Sequence, residues 1–455
     1  MLKPLRHLIK ELSVILFLII QIIIFFNVWK HYEVNTYFRN IDKAWAIIGS
    51  YAIQNIILSK MFGAYDVGKK RTIDILFGQY MKLIICDSLA YLQLCMLHNY
   101  PYMYSIKVLG LITIINCLIM TIGILILRAI YYLLSPIQSA ILITTNDDSL
   151  MKDLSHNKLN KRIKIDKIVR FNKNDLEIKQ LKNQLKDYNV VIVDDIPPFM
   201  RNNILKYCYE TNKKCYAKPK VSDVLIRSAT ITRLCYNSML MYDDPSITFW
   251  QAVLKRTFDV VCSAIALVFL IPLFIIVGII IKLTDGGPIF YVQNRYTKDK
   301  KVFKIYKFRS MYVNNQNSAC LATKNDKRIT PIGSILRRTH IDELPQVINI
   351  LKGDMSIVGP RPDMLEIYEV YKDSYPEYDY RLKMKAGLTG YAQIYGKYNT
   401  SPQDKLKFDM IYICNYSFML DIKLILLTFK VMFAKDTSEG LEEGKTNALK
   451  DKDKK

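Results

Sequence analysis

The sequence predicts a membrane protein of mixed class. It starts with a four-helix transmembrane bundle, continues as a small α/β unit, and ends in a mainly helical domain that enters the membrane through a re-entrant helix–break–helix. Three observations predict this. Apolar residues make up 51% of the 455-residue chain and gather into stretches of the length that a bilayer crossing needs. Charged residues still make up 23%, more than a purely intramembrane chain carries. Lys plus Arg number 64 against 41 Asp plus Glu, a net charge of +23, and these cations crowd beside the apolar stretches. Such a composition excludes a disordered chain. Its basic balance suits anionic headgroups or phosphorylated substrates. A nucleic-acid face is not expected, because the membrane stretches account better for the charge and the basic residues of 151–220 lack the interleaved aromatics of a stacking platform.

The first domain, 1–135, holds four apolar stretches at 12–28, 44–62, 73–97 and 106–134. No small-residue cleavage site follows the first, so it does not read as a signal peptide. Asp87 and Arg128 fall within these stretches and read as an interhelical partner and a snorkelling anchor. Lys3, Arg6 and Lys10 precede the first stretch, Lys69, Lys70 and Arg71 follow the second, and 98–105 holds no Lys or Arg. The excess of cations places the N-terminus, and everything after 134, in the cytoplasm. The nine cysteines, at 86, 95, 117, 208, 215, 235, 262, 320 and 414, form no C-x-x-C and no zinc spacing, and read as reduced thiols.

The second domain, 136–245, alternates short apolar runs (139–144, 189–193) with helical patterns (175–188, 199–209), as a small parallel α/β unit does. A dinucleotide site needs G-x-G-x-x-G after the first strand, and Thr144-Thr145-Asn146-Asp147-Asp148 stands there instead. The unit reads as structural or regulatory. It carries 17 Lys/Arg against 8 Asp/Glu between 151 and 220, which turns a basic face toward membrane headgroups.

The third domain, 246–434, opens with Lys255-Arg256 and the apolar run 258–283, with Pro272 near its middle and Asp285-Gly286-Gly287-Pro288 at its end. The run either crosses the membrane or bends at Pro272 and leaves on the face it entered. Arg295, Lys298, Lys300, Lys301, Lys304, Lys307 and Arg309 follow directly, and cations on both flanks favour one cytoplasmic face and a re-entrant segment over 256–283. The charged tail 435–455 is expected to be disordered.

The residues with chemistry lie between 293 and 396. Asp342-Glu343 stands just before Pro345, which suits the first turn of a helix, and Gly353 suits its end. A carboxylate there can serve as nucleophile or metal ligand; plain N-terminal capping is the bland alternative. Pro360-Arg361-Pro362 stiffens the backbone on both sides of one guanidinium, which suits phosphate recognition. A strand-ending turn with an exposed Arg is the bland alternative here. His340 reads as a packing histidine before a proton carrier.

These motifs together resemble the bacterial sugar transferase family, the monotopic polyprenyl-phosphate glycosyl-1-phosphate transferases. The resemblance is carried by Lys255-Arg256-x-Phe258-Asp259, the Pro272-broken run, Gly287-Pro288, Gln293-x-Arg295, Tyr306-Lys307-Phe308-Arg309-Ser310-Met311, Asp342-Glu343-Leu344-Pro345-Gln346, the run K-G-D-M-S-I-V-G-P-R-P from Lys352 to Pro362, and Gly387-Leu388-Thr389-Gly390-x-Ala392-Gln393. It covers about 250–435, and the first 245 residues look like those of long-form members, with four membrane helices and a degenerate Rossmann-like domain. The chain departs from the pattern at Ile271-Pro272, where a Ser often precedes the Pro, and at Ala386, Tyr391, Tyr395 and Tyr296-Thr297.

The resemblance implies an enzyme of the inner membrane with its catalytic domain on the cytoplasmic face. It would move a sugar-1-phosphate from a UDP-sugar to undecaprenyl phosphate and release UMP, starting an exopolysaccharide, capsule or O-antigen unit. Asp342 would be the nucleophile, Glu343 a Mg²⁺ ligand or acceptor assistant, and Asp342 a second ligand. Arg361, Lys307, Arg309, Arg295, Arg338 and Lys385 would bind phosphates or substrate, and Pro272 would mark the re-entrant break. Inner-leaflet lipids and a second copy of the chain are the further expected partners. The competing function is a catalytically silent membrane scaffold, which has no need of an intact acid pair.

Overall fold

The computed structural model describes residues 2–32, 41–68, 70, 72–98, 104–145, 163–170, 178–234, 236–242, 247–312, 328–396 and 400–432. Asp326, the turn from Asn146 to Asp148 and the tail 435–455 lie outside the described residues. By packing, the chain forms two units, Met1–Lys218 and Pro219–Lys455.

The first unit begins with helices α1 (Leu2–Tyr32), α2 (Ile41–Phe62), α3 (Thr72–His98) and α4 (Tyr104–Leu133). Phe17, Leu83, Met120 and Ile124 pack together inside them, while Ile19, Ile53, Ile84, Leu118 and Ile122 face outward. An apolar outside suits lipid. Of these four, α3 over Thr72–Gln93 and α4 over Leu109–Leu133 are long and apolar enough to cross a membrane, while the apolar part of α1, Glu11–Asn27, is shorter. Asp87 is an interhelical partner: it accepts hydrogen bonds from Tyr51 Oη on α2 (2.9 Å) and Thr113 Oγ1 on α4 (2.7 Å).

Then come β1 (Gln138–Thr144), β2 (Ile163–Arg170), α5 (Ile178–Leu185), β3 (Val190–Val193), α6 (Pro198–Glu210) and β4 (Lys214–Ala217). The strands form one parallel sheet in the order β2-β1-β3-β4. Its central strands β1 and β3 are apolar on both faces: Ile141, Ile143, Val191 and Val193 pack with α5 and α6, and Ala140, Leu142, Val190 and Ile192 line the other face. That is why these runs read as continuous rather than alternating.

The second unit holds α7 (Val221–Ser228), the hairpin β5 (Thr230–Leu234) and β6 (Asn237–Met241), and α8 (Phe249–Asp285). It continues with the antiparallel pair β7 (Phe290–Tyr296) and β8 (Val302–Phe308), α9 (Pro331–Arg338), a 3₁₀ turn at Ile341–Glu343, α10 (Gln346–Lys352), β9 (Met355–Val358) and α11 (Leu365–Ser374). A 3₁₀ run Pro376–Lys383 leads to β10 (Ala386–Thr389), parallel to β9, then α12 (Tyr391–Tyr395), α13 (Pro402–Cys414) and α14 (Phe418–Met432). The second unit includes α7, whose Val224 is buried with Leu406 and Met410 of α13.

Helix α8 corrects one expectation. It is a single 37-residue helix that runs through Pro272, not two helices across a break. A proline removes its own N–H and crowds one earlier carbonyl, but the bonds of the turns on either side are intact. Thr248 caps its start, with Gln251 completing a capping box, and Gly286 ends it at φ 70°, a left-handed backbone that glycine adopts without strain.

Both halves of α8 dock within the second unit, on different clusters. Lys255 Nζ reaches Val358 O (3.0 Å) and Asp421 Oδ2 (2.6 Å), and Asp259 accepts from Ile357 N (3.1 Å). Further on, Val277 and Ile281 are buried with Phe308 and Leu336, beside Ile341. The opposite stripe, Val261, Ile265, Val268, Ile275, Ile276, Ile279 and Leu283, is exposed and wholly apolar.

Candidate functional site

The site is built where α8, β8, α9 and α10 meet. His340 adopts a left-handed conformation, φ 56°, and turns the chain from α9 into the short 3₁₀ turn that carries Asp342 and Glu343. Pro345 is the N-cap of α10 and Gly353, at φ 93°, ends it. The pair therefore sits immediately before the helix, as its spacing implies. Helix α10 has only seven residues, so its dipole is a minor part of the electrostatics. The charge on Glu343 is met by side chains instead.

Lys307 Nζ lies 2.7 Å from Glu343 Oε1. Arg361 grips the same carboxylate in a fork, Nη2 to Oε1 at 2.5 Å and Nη1 to Oε2 at 3.1 Å. Burial alone would raise the pKa of Glu343; the Arg361 guanidinium and the Lys307 ammonium override it and hold the group well below its ordinary value. Asp342 behaves oppositely. It is buried, 8% exposed, and burial, reinforced by the neighbouring Glu343 charge, raises its pKa against the pull of Lys307, Arg337 and His340. Two adjacent acids are thus driven apart, one fixed as an anion and one poised, which is the signature of divided roles.

Arg361 is delivered by a braced loop. Backbones cross closely here: a Cβ on Gly359 would collide with Lys385 O, so only glycine fits. Behind the loop Arg381, 3% exposed, donates Nη2 to Arg361 O (2.7 Å) and pairs with Asp363 and with Asp409 (2.8 Å). Arg295 braces the far side, donating Nη1 to Pro362 O (3.1 Å) and Nη2 to Gln293 Oε1 (2.7 Å). Burial lowers the Arg295 pKa to about 10.

Of the residues expected at the site, the structure therefore brings Asp342, Glu343, Lys307 and Arg361 together. Arg295 stands behind the Arg361 loop and not at the carboxylates. Arg309 is buried at the end of β8, 3% exposed. Arg338 is exposed on α9, and its neighbour Arg337 is the residue that faces Asp342 and donates to Ser310 Oγ (3.1 Å). Lys385 sits at the opposite end of α10, where it donates to Gly353 O (2.8 Å) beside Arg256, whose guanidinium donates to Ile350 O and Leu351 O. There it satisfies helix-end carbonyls. Pro272 lies two residues before Phe274, which packs edge-on against Phe308.

Sequence reasoning missed Arg337 and Arg381. Arg337 was legible from helical phase: Gly333 and Leu336 are the buried positions of α9, and 337 shares their face while 338 turns away. Arg381 had no such signal, because its partners lie 18 and 28 residues away.

Among the described residues no cluster of three or more His, Cys, Asp or Glu is placed to hold a metal ion. The donor set at the site is two adjacent carboxylates. That fits Mg²⁺, which is commonly held by one or two carboxylates and completed by water and substrate phosphates rather than caged by protein.

Comparison with known proteins locates this architecture. The sequence model of the family described as "Bacterial sugar transferase" matches residues 250–435. The chain is similar to the UDP-glucose:undecaprenyl-phosphate glucose-1-phosphate transferase of Escherichia coli (strain K12), 41% identical over 41% of this chain and 42% of that protein. It is similar to the UDP-N-acetylgalactosamine-undecaprenyl-phosphate N-acetylgalactosaminephosphotransferase of Aeromonas hydrophila, 38% identical over 40% of this chain and 44% of that protein. In both cases the match spans under half of the relative's length. The exopolysaccharide production protein PSS of Rhizobium leguminosarum bv. phaseoli is 40% identical over 38% of this chain, and there the match spans 92% of the relative. With that protein covered almost end to end, and the family model seated on the residues that build the acid pair and its cations, the chain belongs to the bacterial sugar transferase family.

Proposed function

We propose that the chain transfers hexose-1-phosphate from a UDP-sugar to undecaprenyl phosphate, releasing UMP, and so begins assembly of a polysaccharide repeat unit. The observation that carries this reading is the divided acid pair: Glu343 clamped by Lys307 and Arg361, and Asp342 beside it, buried and not clamped. Two relatives bearing the same domain are named for this class of reaction.

In the proposed first step an Asp342 carboxylate oxygen attacks the sugar-bearing phosphorus. The phosphoanhydride bond to UMP breaks, and a phosphosugar–Asp342 acyl phosphate remains. In the second step an oxygen of undecaprenyl phosphate attacks that phosphorus, the bond to Asp342 breaks, and the carboxylate is regenerated. The acyl phosphate spares two dianionic substrates a direct encounter. Arg361 and Lys307 lie where they can meet phosphate oxygens, and such transfers depend chiefly on positioning and charge stabilisation. Glu343 and Asp342 would hold Mg²⁺, which when bound neutralises charge on the diphosphate and its leaving group.

The membrane placement follows from α8. At ~1.5 Å per residue its 37 residues exceed the ~30 Å of a bilayer core. Yet residues from Lys255 to Ile281 all pack against elements of the second unit. A helix crossing freely would separate its two ends by the bilayer. We therefore read α8 as lying along the catalytic core with its apolar stripe in lipid, entering from the cytoplasmic face, and we read α1–α4 as the transmembrane bundle that precedes it.

The test is to purify the full chain with undecaprenyl phosphate and Mg²⁺, offer UDP-glucose, UDP-galactose and UDP-N-acetylhexosamines in turn, and measure UMP. The expected result is UMP release with one sugar and none from Asp342→Asn. Without the acceptor lipid, intact mass should show the wild type heavier by one hexose phosphate. Folded protein that releases UMP with no nucleotide sugar sinks the reading and leaves the scaffold.

A further inference from the structure

Three of the four in-plane lone-pair directions of the Glu343 carboxylate are engaged before any substrate arrives. A carboxylate oxygen presents two in-plane lone-pair directions. Oε1 already receives Lys307 Nζ and Arg361 Nη2, and Oε2 receives Arg361 Nη1. The side chain is 15% exposed, so solvent offers few other approaches. The charges of Asp342, Glu343, Lys307 and Arg361 also balance. A divalent cation arriving alone meets a neutral cluster whose obvious ligand offers a single open direction, on Oε2. A diphosphate arriving alone meets two cations already committed.

The partners are unequally held. The Arg361 side chain is 45% exposed and the Lys307 side chain 20%. The main chain of Arg361 is pinned by Arg381 and Pro362 O by Arg295. Its guanidinium can therefore move while its loop does not.

We infer that Arg361 is a removable counter-ion of Glu343: the diphosphate of the sugar nucleotide draws the guanidinium away, and only then does Glu343 open to a divalent cation. Metal and nucleotide thus load together, and metal alone binds weakly. This rests on the transferase reading for the identity of the diphosphate. The coupling is reciprocal, as any linkage between two ligands must be. Its use is to keep the buried acid pair from holding a metal ion when no substrate is present.

The test measures Mn²⁺ alone, in the full chain in nanodiscs, by loss of its free EPR signal and without any nucleotide. Wild type should bind weakly. Arg361→Gln should bind tighter by about tenfold, the size of a typical coupling between sites, and adding Glu343→Gln should remove the gain. Lys307→Met, which also frees a lone pair of Oε1, should tighten in the same direction. Arg338→Gln removes a nearby cation that does not touch Glu343, and should match wild type. Circular dichroism and melting curves confirm that each variant is folded. Tight Mn²⁺ binding to wild type, no gain in Arg361→Gln and Lys307→Met, or an equal gain in Arg338→Gln overturns the inference. The UMP assay on the same preparations separates the two ideas. UMP made by protein that binds Mn²⁺ tightly on its own keeps the transferase and loses the latch. The expected Mn²⁺ pattern without UMP from any nucleotide sugar keeps the latch and loses the transferase.

Discussion

Two guanidinium–carboxylate clusters meet at the loop 360–363, and they are built from the same chemistry to opposite ends. In one, Arg361 grips Glu343 near the surface, with Asp342 beside it. In the other, Arg381 is sealed between Asp363 and Asp409, with Tyr378 Oη 2.6 Å away and its last nitrogen on Arg361 O. Arg381 is 3% exposed and Asp409 1%, while nearly half of the Arg361 side chain meets solvent. An ion pair out of water is costly to break, because the survivor is left charged and desolvated. One at the rim exchanges partners readily. The sealed cluster fixes the loop, and the open one is free to react.

The largest expected effect separates chemistry from scaffold. Asp342→Asn removes the oxygen that attacks phosphorus and should lower UMP release by at least about 10⁴-fold, as loss of a nucleophile does elsewhere. Its melting temperature should not fall, because a neutral amide costs less to bury than an acid whose pKa is already raised. A variant that melts early instead would make Asp342 part of the scaffold.

Next is Arg381→Met, which leaves Asp363 and Asp409 facing each other without their cation. Removing one partner of a buried pair costs roughly 3–5 kcal/mol, and denaturant unfolding should report a loss of that size. Were Arg381→Met as stable as wild type, the sealed cluster would not be what holds the loop. Arg361→Gln should do the reverse, leaving stability near wild type and lowering kcat/KM by about 10²–10³-fold, typical for one lost charge-stabilising donor. If it destabilised as much as Arg381→Met, the distinction between the clusters would collapse.

How much of this was legible follows the range of each interaction. Helix ends were readable because their signals are local: Gly286 and Gly353 close α8 and α10. The acid pair and the Pro360-Arg361-Pro362 loop were readable as motifs, and they do meet. The sealed cluster was not, because Asp363, Arg381 and Asp409 are brought together only by the packing of α11 and α13. Which of Arg337 and Arg338 faces Asp342 depends on helical phase, and it is Arg337. The break expected at Pro272 gave one local rule more weight than the apolar turns on either side, which continue the helix.

The smallest effect concerns pH, and it tests whether the two acids are divided as the geometry implies. Glu343 is held well below its ordinary pKa by Arg361 and Lys307. A depressed acid keeps its pairing above its unfolded value, ~4.3, and loses it only as pH falls through the lower folded one. Glu343 therefore stays ionised while acid is first added. Asp342 is raised by burial and by Glu343, so the acid limb of kcat/KM belongs to Asp342 and lies above the range of an ordinary aspartate. Arg337 opposes that rise without contacting Glu343. Arg337→Gln should move the limb to higher pH and leave the rate on the alkaline side of it nearly unchanged. A rate reduced equally at every pH, with the limb in place, would mean that Arg337 only holds Ser310 and that Asp342 is tuned by burial and its immediate neighbours alone.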